Sequence, residues 1–358
     1  MTKQRFTQIT ALIASLFLSL LLLATNADRR LVNAGLASAD TAHALQKTLR
    51  AEREAAAATE AKRARARLQS KLLQIPPPVI NAHAYMVATS DTDTPLLALR
   101  EDKVLPIASI TKLVTALAAT EILGSDDIVT VTATAKTAEE KTSLAAIGEQ
   151  FRRDTALRLM LALSANDIAM AVAEAAGRAL GATTSDTALH AFVSSMNRTA
   201  RSIGLANTEF FNPTGLDGEM PEKCRVYADS SHAREHLAAV RCPTATRPNV
   251  STARDLTILA KYLIKNRTEL LALAGERTDI VMSESGLRYE AVSTNELLED
   301  FPELVSGKTG YTDEAGETLI LVSRNNSTLG TNVIVLLRST NRFEDGANLL
   351  YWLRAFNR

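Results

Sequence analysis

Three consecutive prolines, Pro76–Pro78, divide this sequence into parts of different composition. The segment before them, residues 29–75, is rich in Ala, Glu, Arg, Lys and Gln and contains neither Gly nor Pro after Gly35. Such a composition favours helix, and prolines end a helix because proline lacks a backbone N–H and clashes with the preceding turn. The pattern therefore predicts a solvated helical stalk over 29–75, followed by a body over 76–358.

Residues 1–28 form a third region, in which Lys3 and Arg5 precede an uncharged apolar stretch over 9–24. This arrangement is typical of a signal anchor that stays in the membrane, or of a signal peptide, here with a cleavage site after Ala27. Both alternatives place the rest of the chain outside the cytoplasm. In the first, an N-terminal membrane helix tethers the protein to the cytoplasmic membrane, whereas in the second the protein is secreted.

Charge is unevenly distributed along the chain, although the net charge is zero. Residues 29–71 contain ten Lys or Arg and four Asp or Glu, whereas residues 75–358 contain 28 basic and 35 acidic residues. A basic arm thus precedes a mildly acidic body, which argues against nucleic acid as a partner. The two cysteines are too few for a disulfide scaffold.

The body contains strand patterns near its start and again after residue 278. The early ones are "AHAYMVATS" and "TPLLALR", joined by the turn "SDTDTP", and the late ones are "TDIVMS", "LRYEAVSTN", "TLILVSRN" and "TNVIVLLRS". Helical spacing is found over Ser109–Leu123, Thr155–Leu163, Asp167–Leu180, Thr187–Ile203, Thr252–Lys265 and Glu344–Phe356. This order predicts an α+β fold, in which both ends of the body build one antiparallel sheet and a helical region packs beside it.

One serine and one lysine lie three residues apart in the apolar stretch "ASITKLVTA". On a helix, Ser109 and Lys112 share a face and are one turn apart. A lysine serves as a base for a serine hydroxyl only if it loses its proton near neutral pH, and burial beside a second cation lowers its pKa in that direction. The alternative is an ordinary helix start with a solvated lysine.

Two further motifs follow in order, "SAN" at 164–166 and "KTG" at 308–310. Ser-x-x-Lys, Ser-x-Asn and Lys-Thr-Gly in this order are the signature of penicillin-recognising serine acyltransferases. Over nearly all of 80–358 the chain resembles the D-alanyl-D-alanine carboxypeptidases, the low-molecular-mass penicillin-binding proteins of the S11 serine peptidase type. The resemblance extends into "FVSSMNRTARSIGLANTEFFNPTGLD" and "NVSTARDLTILAKYL". It implies a β-lactamase/penicillin-binding-protein-like fold, with an antiparallel sheet flanked by helices and a helical subdomain.

The resemblance also implies a role for the residues of the first two motifs. Ser109 is the expected nucleophile and Lys112 its base. Ser164 is expected to relay a proton between that base and the leaving amine, and Asn166 to hydrogen-bond the peptide chain of the substrate. Lys308 is the candidate for the second cation that lowers the pKa of Lys112.

The third motif is expected at a sheet edge that lines the cleft, where an extended peptide can pair as an added strand. Lys308, Thr309 and Gly310 are the expected substrate-binding residues, and Gly310 lets a substrate backbone approach closely. By resemblance, the backbone N–H groups of Ser109 and Tyr311 form the oxyanion hole. Considered alone, the same segment is also typical of a turn between strands.

A carboxypeptidase must hold the terminal carboxylate of its substrate, and arginine suits this task because its guanidinium binds carboxylates in a bidentate manner. In this family an arginine lies shortly before Leu-Leu-x-Trp of the final helix. Here that spacing falls on Arg342, ahead of "LLYW". A solvated arginine before a helix is the alternative.

An insertion, 217–248, separates "NPTGL" from "NVSTARDL", which are nearer together in many relatives. Outside the cytoplasm, Cys224 and Cys242 are predicted to form a disulfide. A structural zinc held by both cysteines with His232 and His236 is the alternative. The stretch "HAREH" also matches the inverted zinc-protease pattern, but that chemistry needs a third ligand, and a serine acyltransferase already accounts for the body. No metal or other cofactor is expected for catalysis.

These inferences predict a serine D-Ala-D-Ala carboxypeptidase that trims peptidoglycan stem peptides through an acyl-enzyme on Ser109 and binds β-lactams as inhibitors. A DD-endopeptidase that cuts cross-links with the same residues is one alternative. Another is a catalytically silent cell-wall scaffold whose stalk recruits partners. A β-lactamase is disfavoured because "SAN" replaces Ser-Asp-Asn and no clear glutamate motif for fast deacylation is present.

Overall fold

The structure is a computed structural model that describes residues 43, 46–56, 59, 75–92, 94–138, 145–217, 247–324 and 330–356. The chain separates into two compact units, residues 1–70 and 71–358. In the first unit, residues 46–56 are helical and exposed, and Arg50 Nε lies 2.9 Å from Glu54 Oε1. This is the conformation that the composition of the stalk predicts. The boundaries of the three predicted regions, 1–28, 29–75 and 76–358, stay predictions.

Some predictions concern residues outside the described part of the chain. They are the membrane segment within 1–28 and, in the insertion, Cys224, Cys242, His232 and His236. The disulfide and the zinc site therefore both stay open. No helix among the described residues combines the length and the apolar character that a membrane crossing needs.

The second unit contains both strands and helices. The strands are β1 (Ala84–Thr89), β2 (Leu97–Leu99), β3 (Leu105–Pro106), β4 (Ile128–Thr130), β5 (Gln150–Arg152), β6 (Val250–Ser251), β7 (Thr278–Met282), β8 (Arg288–Val292), β9 (Leu304–Thr312), β10 (Gly316–Ser323) and β11 (Asn332–Ser339). The helices are α1 (Thr111–Thr120), α2 (Arg153–Ala162), α3 (Asn166–Ala179), α4 (Ser185–Ser202), α5 (Ala253–Asn266), α6 (Thr268–Leu273), α7 (Leu297–Asp300) and α8 (Arg342–Phe356), with 3-10 turns at Ala108–Ile110 and Ala135–Thr137.

The main sheet has five antiparallel strands in the order β2-β1-β11-β10-β9. It joins the first two strands of the body to the last three, as the order of the sequence patterns predicts. Strand β9, which carries Lys-Thr-Gly, lies at one edge, with Lys308 opposite Ile320 of β10. The remaining strands form three two-stranded sheets, β3-β6, β4-β5 and β7-β8.

Both faces of the main sheet are covered, so its central strands are almost continuously buried. Alternate residues of one strand, Val333 and Val335, belong to the large core around α1 and α5, whereas Ile334 and Leu336 point to the other face. Helix α8 packs on β10 and β11, and a Cβ added to Gly346 of that helix would lie 2.9 Å from Leu319 Cδ2. The sheet is thus the middle layer between helices, with β9 and the 3-10 turn at Ala108–Ile110 at one edge.

The predicted helices all occur, but the shortest elements escape the sequence patterns. Strands β3, β4, β5 and β6 have only two or three residues, which is too short for a period to emerge. The helix predicted from Ser109 begins as a 3-10 turn and becomes α-helical at Thr111. The final helix starts at Arg342 rather than Glu344, because the Asn341 side chain caps it by accepting a hydrogen bond from the Glu344 backbone N–H (3.2 Å).

Candidate active site

The Ser-x-x-Lys motif lies where a strained turn enters helix α1. Ala108, next to Ser109, has φ of +48°, a left-handed conformation that residues other than glycine rarely adopt. Ser109 is half-buried in the 3-10 turn, and Lys112 is completely buried in the first turn of α1. The Lys112 Nζ and Ser109 Oγ atoms are 2.9 Å apart. The buried lysine therefore contacts the hydroxyl of a half-buried serine, which excludes the solvated-lysine alternative.

Lys112 has two further oxygen partners. Its Nζ lies 2.6 Å from Asn166 Oδ1 and 2.7 Å from the Thr214 carbonyl oxygen. A neutral amine has two protons and one lone pair. If these two oxygens accept both protons, the lone pair is directed at Ser109 Oγ, which is the geometry a general base needs. Asn166, expected to bind substrate, thus also orients the lysine.

A second serine–lysine contact connects the second and third motifs. Ser164 lies in the loop between α2 and α3, is half-buried and has φ of +61°. Lys308 Nζ lies 3.0 Å from Ser164 Oγ and donates to the Thr309 carbonyl oxygen (2.8 Å). A non-glycine residue with a left-handed backbone is costly and occurs preferentially at functional sites. The SAN loop is therefore held in a strained form with its hydroxyl on Lys308.

The cleft brings together three basic side chains. Burial lowers the pKa of Lys308 well below its ordinary value of 10.5, and the charges of Arg342 and of Lys112 in its protonated form lower it further. Lys112 and Lys308 thus interact electrostatically, whereas the lowered pKa of Lys112 that the sequence predicts stays a prediction. Burial also lowers the pKa of Arg342, which is opposed by the nearby carboxylates of Glu317 and Glu296.

Strand β9 runs directly against the 3-10 turn Ala108–Ile110, here called the nucleophile turn. A Cβ atom added to Gly310 would lie 2.9 Å from the Ser109 backbone nitrogen and 2.4 Å from Thr318 Oγ1. The next residue, Tyr311, has an exposed side chain whose hydroxyl lies 3.3 Å from an oxygen of Asp313. The glycine is therefore required for the close approach between the two segments that supply the expected oxyanion donors.

Arg342 lies at the same edge of the sheet. Its Nη1 donates to the Gly310 carbonyl oxygen (2.9 Å), and its backbone N–H donates to Glu317 Oε2 (2.7 Å). Its guanidinium also lies over the Phe343 ring, 4.9 Å from the centroid. Arg342 is therefore packed against the Lys-Thr-Gly strand rather than solvated at a helix start.

Three residues that support the site were not identified from the sequence. The Thr214 carbonyl is a partner of Lys112, and Gly215, with φ of +86°, packs so closely that a Cβ there would lie 2.0 Å from the Ala108 carbonyl oxygen. Buried Asn249 donates to Thr111 Oγ1 (3.0 Å) and thereby connects a distant segment to α1. Their only sequence signal was membership of stretches that resemble the family.

The described residues contain no cluster of three or more His, Cys, Asp or Glu side chains that is arranged to hold a metal ion. The arrangement that they do contain is a hydroxyl nucleophile on a buried amine, a second hydroxyl–amine pair, and a sheet edge with an arginine. This combination can perform acyl transfer.

The chain matches known proteins over most of the body. The sequence profile of the S11 peptidase family, D-alanyl-D-alanine carboxypeptidase, matches residues 71–338. A D-alanyl-D-alanine endopeptidase of Pseudomonas aeruginosa is 29% identical over 278 residues, which cover 75% of this chain and 76% of the relative. The D-alanyl-D-alanine carboxypeptidase DacF of Bacillus subtilis is 27% identical over 240 residues, which cover 65% of this chain and 52% of the relative, about half of its length.

Solved structures agree with the sequence comparison. Penicillin-binding protein D2 from Listeria monocytogenes, crystallised in its ampicillin-bound form, superimposes with a TM-score of 0.57 at 26% identity, and the match covers 78% of this chain and 99% of that structure. The penicillin-binding-protein fold expected from the sequence motifs is therefore confirmed. With its three motifs gathered in one cleft and its profile match over 71–338, the chain belongs to the D-alanyl-D-alanine carboxypeptidase family of serine peptidases.

Proposed function

We propose that this protein is a D-Ala-D-Ala carboxypeptidase that removes the terminal D-alanine from peptidoglycan stem peptides through an acyl-enzyme on Ser109. The observation that carries the proposal is the 2.9 Å contact between Ser109 Oγ and the buried Lys112 Nζ, within a chain of this family. A buried amine in contact with a half-exposed hydroxyl is suited to activate it as a nucleophile.

In the acylation step, Ser109 Oγ attacks the carbonyl carbon between the two D-alanines, and its proton passes to the neutral Lys112 Nζ. The new C–O bond leaves a negative charge on the former carbonyl oxygen. We expect the backbone N–H groups of Ser109 and Tyr311 to stabilise this charge, which is the usual task of an oxyanion hole. The close packing of Gly310 on the Ser109 backbone supports this assignment.

Collapse of the tetrahedral intermediate then breaks the C–N bond and releases D-alanine, whose nitrogen must gain a proton. Ser164 is the candidate relay, because it is half-buried and its hydroxyl lies 3.0 Å from Lys308 Nζ. Arg342 is the candidate for binding the carboxylate of the leaving residue, since it lies against the Gly310 carbonyl. Water afterwards attacks the ester, with Lys112 as base, and returns Ser109 to its free form.

A DD-endopeptidase activity is the second candidate. The Pseudomonas aeruginosa relative, 29% identical, is a D-alanyl-D-alanine endopeptidase, which favours this alternative. The bond that is broken and the residues that break it are the same, but the leaving amine belongs to a second peptide. Incubation with a linear pentapeptide and with a cross-linked peptide dimer distinguishes the two activities by their rates. A catalytically silent scaffold would act on neither.

β-Lactams are proposed as inhibitors, and the cytoplasmic membrane as the site of attachment. The ampicillin-bound form of the Listeria monocytogenes protein supports the first proposal. The apolar stretch over 9–24 behind two basic residues supports an N-terminal membrane tether and an extracytoplasmic location of the body. Cell fractionation, followed by protease treatment of intact spheroplasts, tests the location, because a cytoplasmic body would be protected.

The function itself is tested with a fluorescent penicillin. We expect covalent labelling of the wild-type protein, no labelling of Ser109→Ala, and normal labelling of the control Ser194→Ala, which removes an exposed hydroxyl on α4. Hydrolysis of a peptide ending in D-Ala-D-Ala should be lost together with the labelling. Labelling that persists in Ser109→Ala would overturn the proposal.

A further inference from the structure

Thr294 links strand β9 to the end of helix α2. Its hydroxyl lies 2.5 Å from the hydroxyl of Thr309, the middle residue of Lys-Thr-Gly on β9. Its backbone N–H donates to the carbonyl oxygen of Ala162 (3.1 Å), the last residue of α2 and two residues before Ser164. Thr294 thus connects β9, which carries Lys-Thr-Gly, to the segment just before the loop that carries Ser164.

The corner that carries Thr294 is fixed in place. It follows the β7–β8 hairpin, where Ser293 N–H donates to the Arg277 carbonyl oxygen (2.7 Å), and Asn295 N–H donates to Ser293 Oγ (3.2 Å). The Asn295 side chain is completely buried against β9, so closely that a Cβ added to Gly307 would lie 2.4 Å from its Nδ2. The Thr294 hydroxyl therefore has little freedom to leave Thr309.

Each of the two hydroxyls has a single proton, and one of them donates to the other. Two basic side chains flank Thr309: Lys308 Nζ donates to its carbonyl oxygen (2.8 Å), and Arg342 Nη1 donates to the carbonyl oxygen of Gly310 (2.9 Å). An anionic ligand drawn to these groups accepts hydrogen bonds but does not donate them. When Thr309 binds such a ligand, its own proton points to the ligand and its oxygen accepts the proton of Thr294.

We infer that Thr294 is a positioning residue that donates its hydroxyl proton to Thr309 and so keeps the Thr309 proton available for the carboxylate of the substrate. This inference rests on the proposed function, because it needs a substrate that ends in a free carboxylate. In this role Thr294 acts through Thr309. Its effect is therefore on binding of the carboxylate, not on the chemical step at Ser109.

The test compares Thr294→Val, which keeps the shape but removes the hydroxyl, with Thr294→Ser, which restores it. Thr278→Val is the matched control, because it makes the same change at an exposed position of the same hairpin. We measure kcat and KM of the full-length protein on a D-Ala-D-Ala peptide with a free C-terminus and on its C-terminal amide. Thr294→Val should raise KM about tenfold for the free peptide alone, as expected for the loss of one hydrogen bond near a charge, and leave kcat within about threefold. Thr294→Ser and Thr278→Val should resemble the wild type.

A double-mutant cycle with Thr309→Val separates positioning from a merely structural role. In that background Thr294→Val should have no further effect on KM, because the hydroxyl that it orients is absent. An equal rise of KM for both peptides, no rescue by serine, or an undiminished effect in the Thr309→Val background overturns the inference. A Thr294→Val variant that does not fold while Thr294→Ser is normal also overturns it, because the hydroxyl is then structural.

Penicillin labelling of the wild type separates failure of this inference from failure of the proposed function. If the wild type is labelled but Thr294→Val has the same KM as the wild type, only this inference fails. A wild type that is neither labelled nor able to hydrolyse the peptide refutes the proposed function and the inference together.

Discussion

Strand β9 approaches the nucleophile turn so closely that a Cβ atom on Gly310 would lie 2.9 Å from the Ser109 backbone nitrogen. The same atom would lie 2.4 Å from Thr318 Oγ1. These contacts are shorter than van der Waals distance, so any side chain at 310 must push the strand away from Ser109. The distance between the two expected oxyanion donors therefore depends on a glycine at this position.

We expect Gly310→Ala to slow penicillin acylation about 10²-fold while the protein stays folded, because small displacements of catalytic groups have effects of this size. Stopped-flow acylation rates provide the measurement, and circular dichroism verifies the fold. Gly124→Ala is a suitable control, since a Cβ there would make only an ordinary contact, 3.8 Å from Asp127 Oδ2. An acylation rate within threefold of the wild type would show that the close packing is not needed.

Lys112→Arg should abolish acylation, because arginine keeps its proton at all accessible pH values and cannot accept one from Ser109. An arginine at this buried position, beside Ser109, Asn166 and Thr214, is permanently charged and cannot replace the lysine as base. Lys136→Arg is the matched control, as its contact with Asp167 is outside the serine–lysine pair.

Penicillin labelling as a function of time measures the effect, and thermal unfolding verifies that the larger guanidinium is tolerated. Near wild-type acylation by a folded Lys112→Arg protein would exclude Lys112 as the base. Loss of acylation in the Lys136→Arg control as well would point to a general sensitivity of this region to arginine.

Arg342→Ala should weaken hydrolysis of peptides that end in D-Ala-D-Ala by about 2–4 kcal/mol in transition-state free energy, the scale for truncating one partner of a buried charge pair. The structure supports this because the guanidinium lies on the Gly310 carbonyl at the edge of the cleft. The comparison is with the C-terminal amide of the same peptide, which lacks the carboxylate. Arg354→Ala, which removes the Glu303 contact farther along α8, is the control. An equal loss on both peptides would contradict the carboxylate assignment.

The sequence motifs predict the centre of this site well because each is local. Ser109 and Lys112 are one helical turn apart, and the order of the motifs resembles that of one family, so the gathering of Ser164 and Lys308 beside them was expected. The edge position of Lys-Thr-Gly was likewise expected from the resemblance and is confirmed, whereas its local pattern alone is typical of a turn. The distance between two residues of a short motif can be predicted because it depends only on local conformation.

The supporting residues could not be predicted because packing brings them from far along the chain. Asn249 hydrogen-bonds Thr111 across 138 positions, and Thr294 reaches Thr309 only because the hairpin before it folds back onto α2. Gly215 is needed for the left-handed turn that lies on Ala108, and no periodic pattern indicates such a contact. A sequence pattern reports local conformation, whereas these contacts depend on how distant elements pack.

The lowered pKa of Lys308 predicts a pH dependence of stability. In the unfolded chain this lysine binds a proton up to about its ordinary pKa of 10.5, whereas in the folded protein it loses the proton at a much lower pH. Between the two pKa values the unfolded state binds more protons, so the free energy of unfolding rises with pH by about 1.4 kcal/mol per unit. Below the folded-state pKa both states are protonated, and this contribution no longer changes with pH.

Lys308→Met removes this dependence. We therefore expect the stability of the wild type, measured by urea unfolding between pH 6 and 9, to increase with pH relative to Lys308→Met. Lys103→Met is the matched control, because it measures how much the loss of one exposed ammonium changes the profile. Arg342→Ala should narrow the pH range over which stability rises, so that the rise begins at a higher pH. The reason is that the Arg342 charge helps to lower the pKa of Lys308, and its removal raises that pKa in the folded state. Parallel profiles for the wild type and Lys308→Met would mean that Lys308 keeps its proton in the folded protein, and Ser164 would then face an ammonium rather than an amine.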